Sequence, residues 1–234
     1  MNAHLTLERA EGFFNAEWRE SRSPWVKPPA PFITISRECC SGGSRLAQLL
    51  AEKFNGSVAG QEEWSIFGGN IINQMLLTNH LPEGLARFLP EDKVPEVNAT
   101  IGEMVGLHPS LWELVRKANE TMRQLAYRGH VILVGRGANF ATTGIAGGIH
   151  VRLVAPPLYR ARYYAQRFGV SETDALLHNA KCDAARRRYV AAHFNSSVES
   201  PAAYDLVINT AQVPLTEAVQ LVATHVQSHA SVAA

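Results

Sequence analysis

Between Arg37 and Ser44 the chain reads Arg-Glu-Cys-Cys-Ser-Gly-Gly-Ser, between a β-rich run, Pro31 to Ser36, and an amphipathic run, Arg45 to Phe54. A strand, a small-residue loop and a helix start in unbroken succession let backbone N–H groups and the positive end of a helix face an anion. The chemistry that suits this layout is phosphate binding. Against the phosphate-loop pattern G-x-x-x-x-G-K-[ST], Gly42 holds the second glycine position and Ser44 the hydroxyl that reaches Mg²⁺. Arg37 stands where the first glycine is expected, and Gly43 where the lysine is expected. The candidate phosphate-binding residues are therefore Ser41, Gly42, Gly43, Ser44 and Arg45, with Ser44 also the candidate Mg²⁺ ligand. Arg37 or Arg45 would replace the missing positive charge, and Arg37, at the mouth of the loop, is the preferred one.

Three other places carry charge suited to phosphate. Gly135-Arg136-Gly137 follows an apolar run, and an arginine between two glycines presents an uncrowded fork. Lys181-Cys-Asp183-Ala-Ala-Arg186-Arg187-Arg188 sets Asp183 and Arg186 on one helical face. Arg160, Arg162 and Arg167 would add charge from the preceding helix. A solvated basic helix is the plain alternative for that run, and the lack of interleaved aromatic residues argues against a nucleic-acid surface. Tyr204-Asp205 is read as structural. Cys39-Cys40 lies near a helix start that would lower a thiol pKa, yet small-residue packing is preferred over redox control. Nine histidines are scattered without metal-ligand spacing.

In order along the chain, Ile33-Thr-Ile-Ser-Arg-Glu38, Ser41-Gly-Gly43, Val134-Gly-Arg-Gly-Ala-Asn139, Asp183-x-x-Arg186 and Tyr204-Asp-Leu-Val-Ile-Asn-Thr210 together resemble the cytidylate-kinase-like family. That family is a divergent branch of the P-loop nucleoside monophosphate kinases, and the resemblance runs from Phe32 to Val226. Loops of the branch tend to read S-R-E-x-G-S-G-G, without the lysine; Cys40 stands where a glycine is usual. The resemblance implies that Arg136, with Gly135, holds the phosphate of an acceptor, although Gly137 replaces the aspartate of the usual G-R-D. It implies a lid in which Asp183 orders Arg186 over the transferred phosphate, with Lys181 and Arg187 as further lid charges. The implied catalytic residues are Arg37, Asp183 and Arg186. The implied activity moves the γ-phosphate of ATP, with Mg²⁺, to a nucleoside monophosphate or similar small phosphorylated acceptor. Two alternatives stay open: a catalytically impaired nucleotide-binding regulator of the same fold, and a kinase for another small molecule.

The elements that must position these residues read as alternating strands and helices. Val131–Val134, His150–Ala155 and Leu206–Ile208 are apolar runs of the kind buried in parallel sheets. Pro157 to Phe168, Ser171 to His193 and Thr216 to Ser228 read as helices, and Ser110 would cap a long one through Tyr127. Ser57–Ala59 reads as a short strand, and Glu62 to Asn79 as mostly helical. The expectation is a three-layer α/β/α sandwich on a parallel sheet, of P-loop nucleotide kinase type, with the Phe32–Ser36 strand central. Residues 1–30 read as an amphipathic helix (Leu7, Ala10, Phe13, Phe14, Trp18) and a Pro-rich linker. That helix would pack on its own domain or against a second subunit. The kinase-like domain would span 31–228, with a substrate-binding insert over 60–108 and a lid over 171–193, before a frayed tail.

At 234 residues, with 46% hydrophobic and 18% charged residues, the chain can bury a full domain core. A formal net charge of +1 gives no bulk reason for nucleic acid or membrane as partner. Three cysteines, the lack of a signal-like start and the lack of a span-length apolar run fit a cytoplasmic protein.

Overall fold

The structure, a computed structural model, describes residues 30–56, 62–68, 109–135 and 137–232. The expected helix over 7–18, the strand at Ser57–Ala59, most of the expected insert and Arg136 lie outside the described residues.

Strand β1 (Phe32–Arg37) is buried at every position and passes through the loop into helix α1 (Gly43–Asn55). Strand β2 (Ser65–Gly68) is followed, beyond the gap in the description, by α2 (Pro109–Arg128), β3 (Val131–Val134) and the single-turn α3 (Ala138–Ala141). Then come β4 (Gly148–Val154), α4 (Pro157–Phe168), α5 (Glu172–Phe194), β5 (Leu206–Asn209) and α6 (Leu215–Val232). The five strands are parallel in the order β2-β3-β1-β4-β5, so β1 is central and is flanked by β3 and β4 as expected.

The helices cover both faces. On one face Ile33, Ile35, Ile132, Val134, Ile149, Val151 and Leu153 pack with Leu46, Ala47, Leu50 and Ala51 of α1 and with Ala218, Val219, Val222 and Val226 of α6. Buried α1 residues at spacings of three and four form one stripe, so the helix seats a single face on the sheet. Leu46 and Leu50 are fully buried there, and truncating either to alanine should cost about 2–5 kcal/mol. On the opposite face Phe32, Val131 and Leu133 pack with Met122, Leu125 and Ala126 of α2 and with Ala138 and Ala141 of α3. These layers make the expected α/β/α sandwich.

Two elements differ from the expectation. Ser65–Gly68 is an edge strand rather than the start of a helix, because Ile66 and Phe67 face opposite sides of the sheet in register with Ile132 and Leu133. The α6 helix runs past Ser228 to Val232 where fraying is expected. No described helix is long and apolar enough to cross a membrane.

Candidate functional site

Because the strands are parallel, their C-terminal ends share one side of the sheet, where α/β folds open their crevices. The loop lies on that side at the end of β1. The Glu38 N–H donates to the Leu153 carbonyl at 3.0 Å, prolonging the β1–β4 ladder into the loop. Ser41 then turns inward: its N–H donates to the Glu38 carbonyl (3.3 Å), and its hydroxyl to the carbonyls of Glu38 (2.9 Å) and Leu153 (3.3 Å). Ser41 thus builds the turn, with both its donors already engaged.

Gly42 follows at φ 92° and caps α1 with no side-chain hydrogen bond. The left-handed conformation favours glycine there, and a Cβ would also come within 3.2 Å of the Leu215 side chain. The first intrahelical bond runs from the Leu46 N–H to the Gly42 carbonyl at 2.9 Å. The N–H groups of Gly43, Ser44 and Arg45 precede it, and are the ones a helix start offers to an anion. Ser44 is exposed beside them.

The two candidate arginines part company. Arg37 is 9% exposed, and its stem lies against Gly43: a Cβ on that glycine would fall 3.0 Å from Arg37 Cγ and 3.3 Å from its Cβ and Cδ. The stem of Arg37 thus crowds the space in which a lysine stem at position 43 would begin. Arg45 instead runs along the exposed flank of α1, 3.5 Å from Gln48 Oε1 and 3.9 Å from Glu52 Oε1.

The lid candidates split in the same way. On α5, Asp183 accepts the Cys39 N–H at 2.7 Å on Oδ1 and Arg160 Nη1 at 2.7 Å on Oδ2. Arg186, 7% exposed, donates from Nη1 to the Arg37 carbonyl at 3.0 Å and lies 3.5 Å from Asp183. Asp183 and Arg186 therefore hold α5 against the backbone of the loop. Lys181 is exposed, and Arg187 pairs with Glu199 at 3.2 Å on the surface, away from the loop.

Arg160, read from sequence only as extra charge, is the hub of this clamp. Its Nε donates to the Ala155 carbonyl (2.8 Å) and lies 3.4 Å from Glu38 Oε2, while its Nη1 reaches the Cys39 carbonyl (3.0 Å) and Asp183. Glu38 Oε2 also accepts the Ala155 N–H at 2.9 Å. Arg162 and Arg167 stay outside, on Glu172 and Tyr163. Spacing within one helix carries no sign of this convergence, although Glu38 and Asp183 both stand in quoted motifs.

Gly135 donates its N–H to the Ile35 carbonyl at 3.3 Å, which ties the start of the second motif to the central strand. Gly137 sits at φ 75°, and a Cβ there would fall 2.4 Å from the Phe194 ring. An aspartate at this position would be strained and would require the Phe194 ring to move. Nearer β5, Tyr204 donates its hydroxyl to the Val198 carbonyl at 2.8 Å and lies 3.3 Å from Ser36 Oγ. The Arg152 guanidinium stacks 5.7 Å from the Tyr204 ring centroid, and Asp205 accepts the His150 N–H at 2.6 Å.

Comparison with known proteins finds a match over residues 32–212 to the cytidylate kinase-like family. A cytidylate kinase from Thermococcus kodakarensis is 26% identical over 182 residues, 76% of this chain and 79% of that protein. Among solved structures, an uncharacterized protein from Eubacterium ventriosum superposes with a TM-score of 0.64 at 20% identity, spanning 85% of this chain and 98% of that one. A shikimate kinase from Bacteroides thetaiotaomicron gives a TM-score of 0.47 at 13% identity, over 84% of this chain and 98% of its own.

Proposed function

The chain belongs to the cytidylate kinase-like family, and on that premise we propose that it is a phosphotransferase, moving the γ-phosphate of ATP to a nucleoside monophosphate or similar small phosphorylated acceptor. The observation that carries this reading is the loop itself. Gly42 in the left-handed conformation hands the chain from the central strand to α1, leaving the N–H groups of Gly43 to Arg45 ahead of the first intrahelical bond. Phosphoryl transfer needs positioning and charge neutralisation more than covalent help, and this loop supplies both.

Each residue then has a distinct task. The N–H groups of Gly43 to Arg45 and the α1 dipole hold phosphate oxygens. Arg37, whose stem lies directly against Gly43, supplies the charge that the lysine supplies elsewhere. Asp183, Arg186, Arg160 and Glu38 hold the loop and α5 in one arrangement, so that the donors need no reorganisation as charge moves. Arg136, after Gly135, grips the acceptor phosphate.

The Ser44 hydroxyl fits a Mg²⁺ ion. It is exposed at the first turn of α1, and Mg²⁺ takes few protein oxygens, completing its shell with substrate phosphates and water. When bound, the ion would neutralise charge on the triphosphate.

The testing experiment is a coupled assay for ADP release with a panel of nucleoside monophosphates. Turnover with one acceptor above the ATP-only background supports the reading. ATP binding without turnover on any acceptor would replace it with a nucleotide-binding regulator, the reading that Gly43 and Gly137 favour at the lysine and aspartate positions.

A further inference from the structure

Among the buried arginines at the C-terminal side of the sheet, Arg160 and Arg186 are taken up by backbone carbonyls and by Asp183. Arg152 is not. It lies near the end of β4, 5% exposed, in register with Ser36 near the end of β1. Its Nη1 donates to Ser36 Oγ at 3.3 Å, and its guanidinium carbon lies 5.7 Å from the centre of the Tyr204 ring. No carboxylate among the described residues comes within ion-pair distance of it. Its Nε and Nη2 have no protein partner, yet neither is sealed from solvent. A cation this buried is costly without a counter-charge, and an open guanidinium fork suits an anion that presents two oxygens.

We propose that Arg152 grips the phosphate of the acceptor, and so selects phosphomonoesters over their dephosphorylated parents. The open fork is a matter of geometry; the substrate class rests on the proposed function. In-line transfer needs the acceptor phosphate beside the phosphates held at the end of β1. Arg152 stands on the strand next to β1, and the same β1–β4 ladder continues into the loop through the Glu38 N–H and the Leu153 carbonyl. On the other side of β1, Gly135 donates to Ile35, so the row through Ser36 joins Arg152 to the start of the second motif.

The fork is also held in place before any ligand arrives. Tyr204, whose ring flanks it, donates its hydroxyl to the Val198 carbonyl at 2.8 Å. Asn139 Nδ2 holds the preceding residue through the Ala203 carbonyl at 3.2 Å. A guanidinium fixed by a ring on one face and Ser36 on one nitrogen loses little freedom when an anion binds.

The test fills the loop of the full chain with a non-hydrolysable ATP analogue. A panel of nucleoside monophosphates, and then the parent nucleosides, is titrated by calorimetry. The preferred monophosphate should bind Arg152→Gln and Arg152→Met about tenfold to a hundredfold more weakly than wild type. Arg152→Lys, which keeps the charge and loses the fork, should recover part of that loss. Affinity for the analogue and for the parent nucleoside should stay unchanged in all three variants. A merely structural arginine would read differently under urea. Arg152→Met keeps an unbranched stem and removes an unpaired charge, so its unfolding midpoint should equal or exceed that of wild type. A lower midpoint with unchanged monophosphate affinity overturns the proposal, as does equal weakening of monophosphate and analogue. Wild type that binds the analogue but no monophosphate overturns it too. A monophosphate that binds through Arg152 and is never phosphorylated sinks the phosphotransferase reading and leaves the grip standing. If the analogue itself fails to bind, that reading falls as well, and the same titrations without it still decide the grip.

Discussion

At the scale of single residues, the fit of Arg37 against Gly43 gives the loop its character. A side chain at 43 would crowd the Arg37 stem, so a lysine there would require that stem to shift. Arg37→Ala should lower turnover with the best acceptor by at least about tenfold, near 1.4 kcal/mol of transition-state stabilisation, and should weaken ATP binding less. Arg45→Ala, on an exposed flank, should stay close to wild type. Steady-state kinetics beside an ATP titration check both, and near-wild-type turnover in Arg37→Ala would end the compensation idea. For Arg136 the expectation comes from sequence. Arg136→Ala should cost about 1.5–3 kcal/mol, the range for hydrogen bonds to charged groups. The loss should fall on the acceptor and leave ATP nearly untouched; equal weakening of both would count against its role.

At the scale of elements, α5, the expected lid, is held against the loop by its own side chains. Its Asp183 and Arg186 grip the carbonyl and N–H groups of the loop, and Arg160 of α4 joins them with Glu38. Such a buried cluster owes its worth to completeness, because removing one partner leaves a desolvated charge behind. Asp183→Ala should therefore destabilise the protein by about 3 kcal/mol, whereas Asp183→Asn, which can still accept the Cys39 N–H, should cost less. Urea unfolding of the two variants measures the difference. An Asp183→Ala loss no larger than a surface ion pair gives, about 0–1 kcal/mol, would show that the clamp is ornamental.

At the scale of the whole molecule, the two faces of the sheet differ in chemistry. The face toward α1 is apolar up to Arg37 at the loop end of β1, whereas near β4 the other carries Thr34, Ser36, His150 and Arg152. His150 faces Thr34 Oγ1 at 2.8 Å, and burial lowers its pKa below the ordinary 6.5, with Asp205 acting in the opposite sense. Below 6.5 the unfolded chain binds the proton that the folded chain resists, so this stability is complete above 6.5 and is lost as pH falls toward the folded value. Urea midpoints measured from about pH 7.5 to 5.5 should fall for the wild type and fall less steeply for His150→Gln. Equal slopes would remove His150 from the account.

The periods of apolar residues determined most of the elements, because a buried strand or a one-faced helix must show its face in the sequence. The glycines of the loop and the order of the motifs likewise marked the phosphate site, since a left-handed turn and a helix start are local demands. Ser65–Gly68 escaped this reading, because four residues with two apolar side chains suit a helix turn as well as an edge strand. Only the folded chain decided which arginines act together. Arg160 lies buried among Glu38, Cys39 and Asp183, while Arg187, in the same basic run as Arg186, turns to Glu199. Only the folded chain brought Asp183 to the Cys39 N–H, across an interval no spacing rule spans. The physical reason is the same in each case: a residue's neighbours along the chain set its backbone, but the partners of a charge come from whichever strand ends and helices the sheet gathers at its C-terminal side.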